Sequence, residues 1–295
     1  MRLSVCITTR NRTQQLDACL RALWASHVKP YWVIVSDDSP EYETQQKNHQ
    51  VVKQYPGIAY IIGPRLGVCA NRNHAVNAIS TCETDLVAFI DDDVYVEPDF
   101  IARAVDRYTQ MSSEQSHCTI LSGVSRNEDG YESVPAKLSF RGYFCPADVP
   151  QAVAIHAAVF PRSFFEKEQW DENIFFGYED AEICLRALKH GYQILHCPEL
   201  KVLNVGVHSS TLAVAGIGNL TNYEIQIESA RLYVGIKRYK YLFPDPFKLV
   251  VFISVYFIHM TVFLLKRGSL NALPEIIRRS HIQRLWQRSR LWESA

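Results

Sequence analysis

The sequence predicts an α/β fold, a Rossmann-like and mostly parallel central sheet with helices on both faces, followed by a C-terminal helical, membrane-associated tail. Three observations carry this. Short β-prone runs alternate with helical periodicity from Leu3 to Ile90. Clusters of aspartate stand at the ends of two of those runs, and one long apolar stretch near the end is followed by basic residues.

Leu3 to Thr8 is the first β-prone run. Leu16, Leu20, Leu23 and Trp24 then recur at helical spacing behind Asn11 and Thr13, either of which could cap the helix. Trp32 to Val35 and Ile58 to Ile62 read as strands and Val68 to Ile79 as a helix. Leu86 to Ile90 is near-continuously apolar, as in a strand buried on both faces. In such sheets ligands bind in the crevice outside the carboxyl ends of the strands. Asp37 and Asp38 follow the second strand and Asp91 to Asp93 the fourth, so both clusters belong to one rim. Further on, Thr119 to Val124 reads as a strand, Gly130 to Pro150 is rich in turn formers, and Ala152 to Phe160 is extended and apolar. A helix from Tyr178 places Ala181, Cys184, Leu185 and Leu188 on one face and closes at Gly191. Strands Gln193 to His196 and Lys201 to Val205 follow, and no internal repeat is present.

A chain of 295 residues suits one large domain plus an appendage, divided here as 1–215 and 216–295. The formal net charge is zero, which gives no sign of a nucleic-acid partner. Charge is nonetheless uneven, because residues 266–295 carry seven Lys and Arg against two Glu. The eight cysteines form no CxxC pair and read as core residues in a reducing compartment. The apolar run at the N-terminus is too short for a signal peptide, so the catalytic part is expected in the cytoplasm. Residues 249–265 are apolar except for Ser254, His259 and Thr261. As a helix that stretch is about 25 Å long, short of the roughly 30 Å hydrocarbon layer. Lys248, Lys266 and Arg267 beside it suit a shallow or tilted membrane segment; the soluble alternative is a homodimer interface. Ile276, Ile277, Ile282, Leu285, Trp286 and Trp292 then interleave with arginines, as in helices that lie on anionic lipid.

Three adjacent aspartates at the end of a buried strand repel one another unless a cation or hydrogen bonds compensate. A hard divalent ion, Mn²⁺ or Mg²⁺, suits one or two carboxylates completed by phosphate oxygens. Glu179 and Asp180 open the helix that begins near Tyr178. The helix dipole alone favours acidic residues there, but a carboxylate so placed could also take the proton of an attacking hydroxyl. Spacing does not separate the two, and Asp180 is taken as the base.

The runs Val5-Cys6-Ile7-Thr8-Thr9-Arg10-Asn11-Arg12, Ser36-Asp37-Asp38-Ser39, Gly67-Val68-Cys69-Ala70-Asn71-Arg72-Asn73, Ile90-Asp91-Asp92-Asp93 and Gly177-Tyr178-Glu179-Asp180, with Leu185-Arg186 and Gly191-Tyr192, resemble family-two glycosyltransferases of the GT-A fold. The resemblance implies an enzyme that inverts the anomeric centre of a nucleotide-sugar donor. It places Thr8, Arg10, Arg12 and Asp38 at the nucleoside, with Asp38 accepting from the base, and Arg72 near the base or diphosphate. It puts Asp91 towards the ribose, Asp93 on the metal with Asp92 a further ligand, and Asp180 as catalytic base. Many members carry an aromatic residue where this chain has Arg10, so a cation over the base would replace stacking. Several present a histidine to the metal; His208 is the nearest candidate, with an ordinary loop histidine as the alternative. His156 reads as a core or acceptor-cleft residue. Trp170, Asp171 and Glu172 read as acceptor-cleft lining or core anchor. The expected acceptor is a hydroxyl of a saccharide or lipid-linked saccharide at the inner face of the plasma membrane. A sugar-phosphate nucleotidylyltransferase is the alternative, although Thr8 to Arg12 lacks the glycines of its signature loop; a non-catalytic membrane-bound scaffold is another.

Overall fold

A computed structural model describes residues 1–80, 83–206 and 216–287. The first part alternates strand and helix in the expected order: β1 (Leu3–Thr9), α1 (Thr13–Trp24), β2 (Val33–Asp37), α2 (Tyr42–Val52), β3 (Ile58–Ile62), α3 (Val68–Asn77) and β4 (Leu86–Asp91). Next come β5 (Val94–Val96), α4 (Phe100–Thr109), α5 (Ser113–Cys118), β6 (Thr119–Asn127), a hairpin of β7 (Ala136–Leu138) and β8 (Phe144–Pro146), β9 (Ala158–Pro161), α6 (Phe164–Lys167), α7 (Glu179–Lys189) and β10 (Gln193–Asn204). Four helices follow: α8 (Asn222–Lys237), α9 (Pro246–Lys266), α10 (Leu273–Arg279) and α11 (Ile282–Gln287).

Strands β7 and β8 pair as a separate two-stranded sheet, and the other eight described strands form one sheet in the order β3-β2-β1-β4-β9-β6-β10-β5. In that larger sheet only β9, against β4 and β6, and β5, against β10, run antiparallel. Side-chain alternation along β1 shows why both faces are covered. Val5 and Ile7 join Leu16 and Leu20 of α1 and Phe100 of α4 in one apolar cluster. Cys6 points the other way, into a cluster with α3, α7, α8 and α9. Register aligns the strand ends that matter, with Thr8 opposite Asp91 and Thr9 opposite Asp37. The acidic ends of β2 and β4 therefore flank β1 at one rim.

Several local expectations are revised. Helix α1 is entered through Arg12, with Asn11 left-handed (φ 57°) before it; Thr13 is already helical and its hydroxyl donates to Asn48. Residues 152–160 are not one extended run, because a 3₁₀ turn at Ile155–Ala157 precedes β9. The two strands expected after Gly191 are one strand, β10, whose register shifts between His196 and Lys201.

The long apolar helix starts earlier than its composition suggests, since Asp245 caps it by accepting from the Lys248 N–H and Pro246 takes the first turn, where no amide donor is needed. Its 21 residues span about 31 Å rather than 25 Å, enough to match a hydrocarbon layer. The basic end departs from a lipid-lying helix: Ile276 and Leu285 are buried in the same core as α8, so the inner side of α10 and α11 packs on protein. Trp292 lies outside the described residues.

Candidate active site

A cleft of about 1130 Å³ opens at the rim where β1, β2 and β4 end. Thr8, Arg10, Arg12, Asp38, Arg72, Asp91, Asp92, Asp93 and Asp180 all line it, which is every expected site residue that the structure describes. His208 lies outside the described residues.

The turn after β1 sets the first wall. The Asn11 N–H donates to Ser39 Oγ at 2.9 Å, which draws the turn towards the end of β2 and aims Arg12 at the aspartates. Arg12 Nη1 donates to Asp92 Oδ1 (3.0 Å) and Asp93 Oδ2 (2.6 Å), and Thr9 Oγ1 donates to Asp92 Oδ2 (2.7 Å). Both Asp92 oxygens are thus satisfied and its side chain is only 4% exposed. Burial pushes its carboxyl up, to about 7, against the pull of Arg12 and Thr9.

Asp91 behaves in the opposite way. Burial would raise it, but Arg72 Nη2 at 3.0 Å from Oδ1 and the His156 ring, with Nδ1 3.6 Å from Oδ2, hold it below the usual carboxylate range. Asp93 is raised by burial and by Asp91, with Arg12 opposing. Backbone closes over Asp93 at Gly206, where a β-carbon would fall 1.5 Å from Oδ2, so only glycine fits.

The two aspartates after β2 divide their work. Asp37 is fully buried and accepts from the Ser39 N–H (2.7 Å), Asn48 Nδ2 (2.8 Å) and Tyr60 OH (2.6 Å), a staple between β2, α2 and β3. Asp38 reaches the cleft wall, where Oδ1 accepts from the Arg65 N–H at 2.9 Å. Burial raises its carboxyl, offset by that N–H and by the nearby Arg10 charge. A β-carbon at Gly63 would stand 2.2 Å from Asp38 Oδ1, so this close approach also requires glycine.

Arg72 sits differently from the expected contact with donor. Its side chain is 3% exposed, lies 5.1 Å over the Trp170 ring, and bridges Asp91 to Glu179 through Nη1 at 3.1 Å from Oε1. The guanidinium thus faces two carboxylates rather than open space. Glu179 is held by this pair, and both it and Asp180 line the cleft. Two consecutive left-handed residues, Gly177 (φ 85°) and Tyr178 (φ 61°), set the start of α7. A non-glycine residue in that region costs about 1–2 kcal/mol. Asp180 Oδ1 accepts from the Ala181 N–H at 2.7 Å. Its carboxyl is raised, first by burial and then by Glu179, with that N–H and Arg72 opposing.

The opposite wall is apolar and comes from late elements: Phe144, Phe175, Phe176, Tyr178, Tyr223 and Ile227. Phe144 stacks on Tyr178 with ring centroids 5.0 Å apart, and Phe176 meets Tyr223 at 5.7 Å. Trp170 is a core anchor, 2% exposed among Phe89, Phe160 and Phe165. Asp171 is held by Lys237 (2.5 Å) and Tyr233 (2.6 Å) of α8. Of the two alternatives for His156, the cleft is the outcome: Nε2 meets Ser125 Oγ at 2.8 Å and Nδ1 faces Asp91. Its partnership with Asp91 was not foreseen, and its one signal was a polar ring inside an apolar run.

Among the described residues no group of three or more His, Cys, Asp or Glu side chains converges as a closed metal cage. The Asp91 and Asp93 carboxylates at an open cleft instead fit an ion that takes one or two protein oxygens and the rest from phosphate.

The model of glycosyl transferase family 2 matches residues 4–168, more than half of the chain. The chain belongs to glycosyl transferase family 2. This family-2 chain matches no curated protein by sequence. Among solved structures it is similar to S. aureus TarS 1-349 in complex with UDP-GlcNAc (TM-score 0.58, 17% identity, over 95% of this chain and 82% of that one). It is also similar to GalNAc-T7 with UDP, GalNAc and Mn²⁺ (TM-score 0.59, 14% identity, over 91% and 58%). In another match to S. aureus TarS 1-349 the TM-score is 0.55 at 14% identity, over 80% of this chain and 66% of that one. In these last two matches the family-2 chain spans 66% of the TarS chain and 58% of the GalNAc-T7 chain, and the likeness at these identities is one of fold.

Proposed function

We propose that the chain is an inverting glycosyltransferase, moving a sugar from a nucleoside diphosphate donor to a hydroxyl of a saccharide or lipid-linked saccharide at the cytoplasmic face of the plasma membrane. The observation that carries this reading is the meeting of Asp38, the three aspartates and Asp180 in one cleft. Asp38 and Arg10 take the nucleoside end. Arg12 and Thr9 fix the aspartate turn, and Arg72 acts on Asp91 and Glu179 as a positioning residue. When bound, a divalent cation at Asp93 with Asp91 beside it, Mn²⁺ or Mg²⁺, supplies neutralising charge for the leaving diphosphate.

Asp180 is the base. It takes the proton of the acceptor hydroxyl as that oxygen bonds to the anomeric carbon. The bond from that carbon to the diphosphate breaks in the same displacement, and its electron pair leaves on the phosphate oxygen. One base suffices for such a step. The raised carboxyl of Asp180 favours the role, because a base poised nearer neutrality holds the proton better than an ordinary carboxylate.

Release of nucleoside diphosphate tests the reading. Because TarS and GalNAc-T7 were solved with UDP-GlcNAc or UDP, uridine diphosphate sugars are the first donors to try. Acceptor-dependent release of nucleoside diphosphate with Mn²⁺ is the expected result. Pyrophosphate would indicate nucleotidyl transfer, and binding without turnover over a panel of donors and acceptors would indicate a scaffold.

A further inference from the structure

Helix α9 has two faces of opposite fate. Phe252, Tyr256, Met260 and Leu264, four residues apart in turn, form a stripe buried against the rest of the chain. Tyr256 OH donates to the Glu228 carbonyl of α8 at 2.9 Å, and the Phe252 ring lies so close to α8 that a β-carbon at Gly235 would fall 2.0 Å from it. The other face carries Phe247, Val250, Ile258, Val262 and Leu265, all between 46% and 78% exposed. Phe243 before the helix and Leu270 after it are exposed as well. Lys248 stands at one end and Lys266 and Arg267 at the other.

We infer that the outer face of α9 lies flat on an anionic lipid bilayer, so that the apolar wall of the cleft opens beside the lipid surface. A spanning helix is disfavoured by the inner stripe, which belongs to the same core as the sheet and could enter lipid only by leaving it. A second copy of this chain packed on this face is disfavoured by the basic residues 266–295, which would be brought against the same residues of the other copy. At the helix ends themselves Lys248 is paired with Asp245 (3.0 Å) and Arg267 with Glu224 (2.9 Å), so the repulsion comes from the basic segment that follows. An anionic lipid surface suits that basic segment, while the five apolar side chains enter the acyl boundary. Residues 266–295, with seven Lys and Arg against two Glu, supply the attraction.

The helix packing fixes which part of the enzyme then faces lipid. Helix α9 runs antiparallel to α8, so its C-terminal end meets the start of α8: Arg267 Nη2 donates to Glu224 Oε1 (2.9 Å) and to the Asn219 carbonyl (3.1 Å). Thr221, Tyr223 and Ile227, at that same start, line the cleft. The basic end of the docking face is therefore next to the apolar wall. That an acceptor anchored in the bilayer reaches Asp180 along this wall rests on the proposed transfer; the docking itself does not.

Sedimentation of the full chain with vesicles tests the inference. Vesicles of phosphatidylcholine with about one-third phosphatidylglycerol should carry the protein into the pellet, and pure phosphatidylcholine should leave most of it in the supernatant. Alkaline carbonate should release it, as for a surface-bound protein. The double variant Ile258→Glu, Leu265→Glu should lower vesicle partition about tenfold or more while keeping the thermal shift caused by a nucleoside diphosphate with Mn²⁺. A wild-type chain that stays in the supernatant with anionic vesicles overturns the inference, as does carbonate-resistant binding. A soluble two-copy particle that the same variant splits overturns it too. Vesicle binding without any acceptor-dependent release of nucleoside diphosphate would leave docking standing and sink only the transfer reading.

Discussion

The two walls of the cleft are built on different principles. The wall proposed for the donor is polar and over-tied: Asp92 accepts from Thr9 and Arg12, Asp91 from Arg72, and Asp38 from the Arg65 N–H. Its side chains come from strand ends locked in register, so their positions follow from the sheet. The wall proposed for the acceptor is apolar and more open, with Phe144, Phe175 and Tyr223 each more than a third exposed. Rigid polar geometry suits a constant ligand such as a diphosphate, while an aromatic surface suits sugars or lipids of varied shape. Asp180, the proposed base, lines the same cleft.

That contrast can be broken most sharply at the base. Asp180→Asn should lower transfer by about 10²–10⁴-fold, seen as acceptor-dependent nucleoside diphosphate release, while donor binding by calorimetry stays near wild type. Weakened donor binding of similar size would merge the two walls into one. Arg72→Ala tests the over-tied side. It strands two inward carboxylates, Asp91 and Glu179, and should destabilise folding by about 3–5 kcal/mol in denaturant titration. Arg72→Lys should recover only part of this, since one ammonium does not reproduce the two-ended bridge.

Gly206→Ala should weaken binding of a nucleoside diphosphate with Mn²⁺ by about ten- to a hundredfold, because the new methyl displaces Asp93. The pH response is the next test in size. As the proposed base Asp180 would work unprotonated, so the acid limb of kcat should lie above the ordinary carboxylate range and rise towards neutrality. Its raised value also means that the folded state holds the proton more tightly than the unfolded chain. Its contribution to stability is then full below the unfolded carboxylate range and is lost as pH rises through the folded value. Asp180→Asn should accordingly gain stability relative to wild type between pH 5 and pH 8, measured by thermal melting. The smallest effect is expected on the open side: Phe144→Ala should raise acceptor KM only a few-fold, about 1 kcal/mol, with donor binding unchanged.

The same contrast explains what could be read from the sequence. Each donor-side cluster is a strand end plus the residues that follow it, so strand periodicity and the rule for ligands at carboxyl ends place Asp38 and Asp91 to Asp93 together. The partners of those residues were not legible. Arg72 joins Asp91 to Glu179, which is 107 positions away from it, and His156 reaches Asp91 from a 3₁₀ turn that an apolar run conceals. The proposed acceptor wall draws on residues 144, 176 and 223, from a hairpin, a loop and a distant helix with no shared period. Helix α9 was under-read because hydropathy begins at Leu249, although Asp245 and Pro246 already spell a helix start.

Gly177 gives the loop before Asp180 a bearing on how such a site can diversify. A β-carbon there would fall 2.5 Å from Ile227 Cδ1, so the loop that aims the base and the α8 wall are pressed together with no slack. Mutational drift at 177 or towards bulk at 227 would shift the base along with the wall, and selection for turnover would remove it. The Phe144 and Tyr223 rings are each packed on one neighbouring ring, Tyr178 and Phe176, and are otherwise exposed. New acceptor preferences in descendants of this chain should therefore accumulate at those two outer positions, leaving the Gly177–Ile227 contact as a fossil of the original geometry.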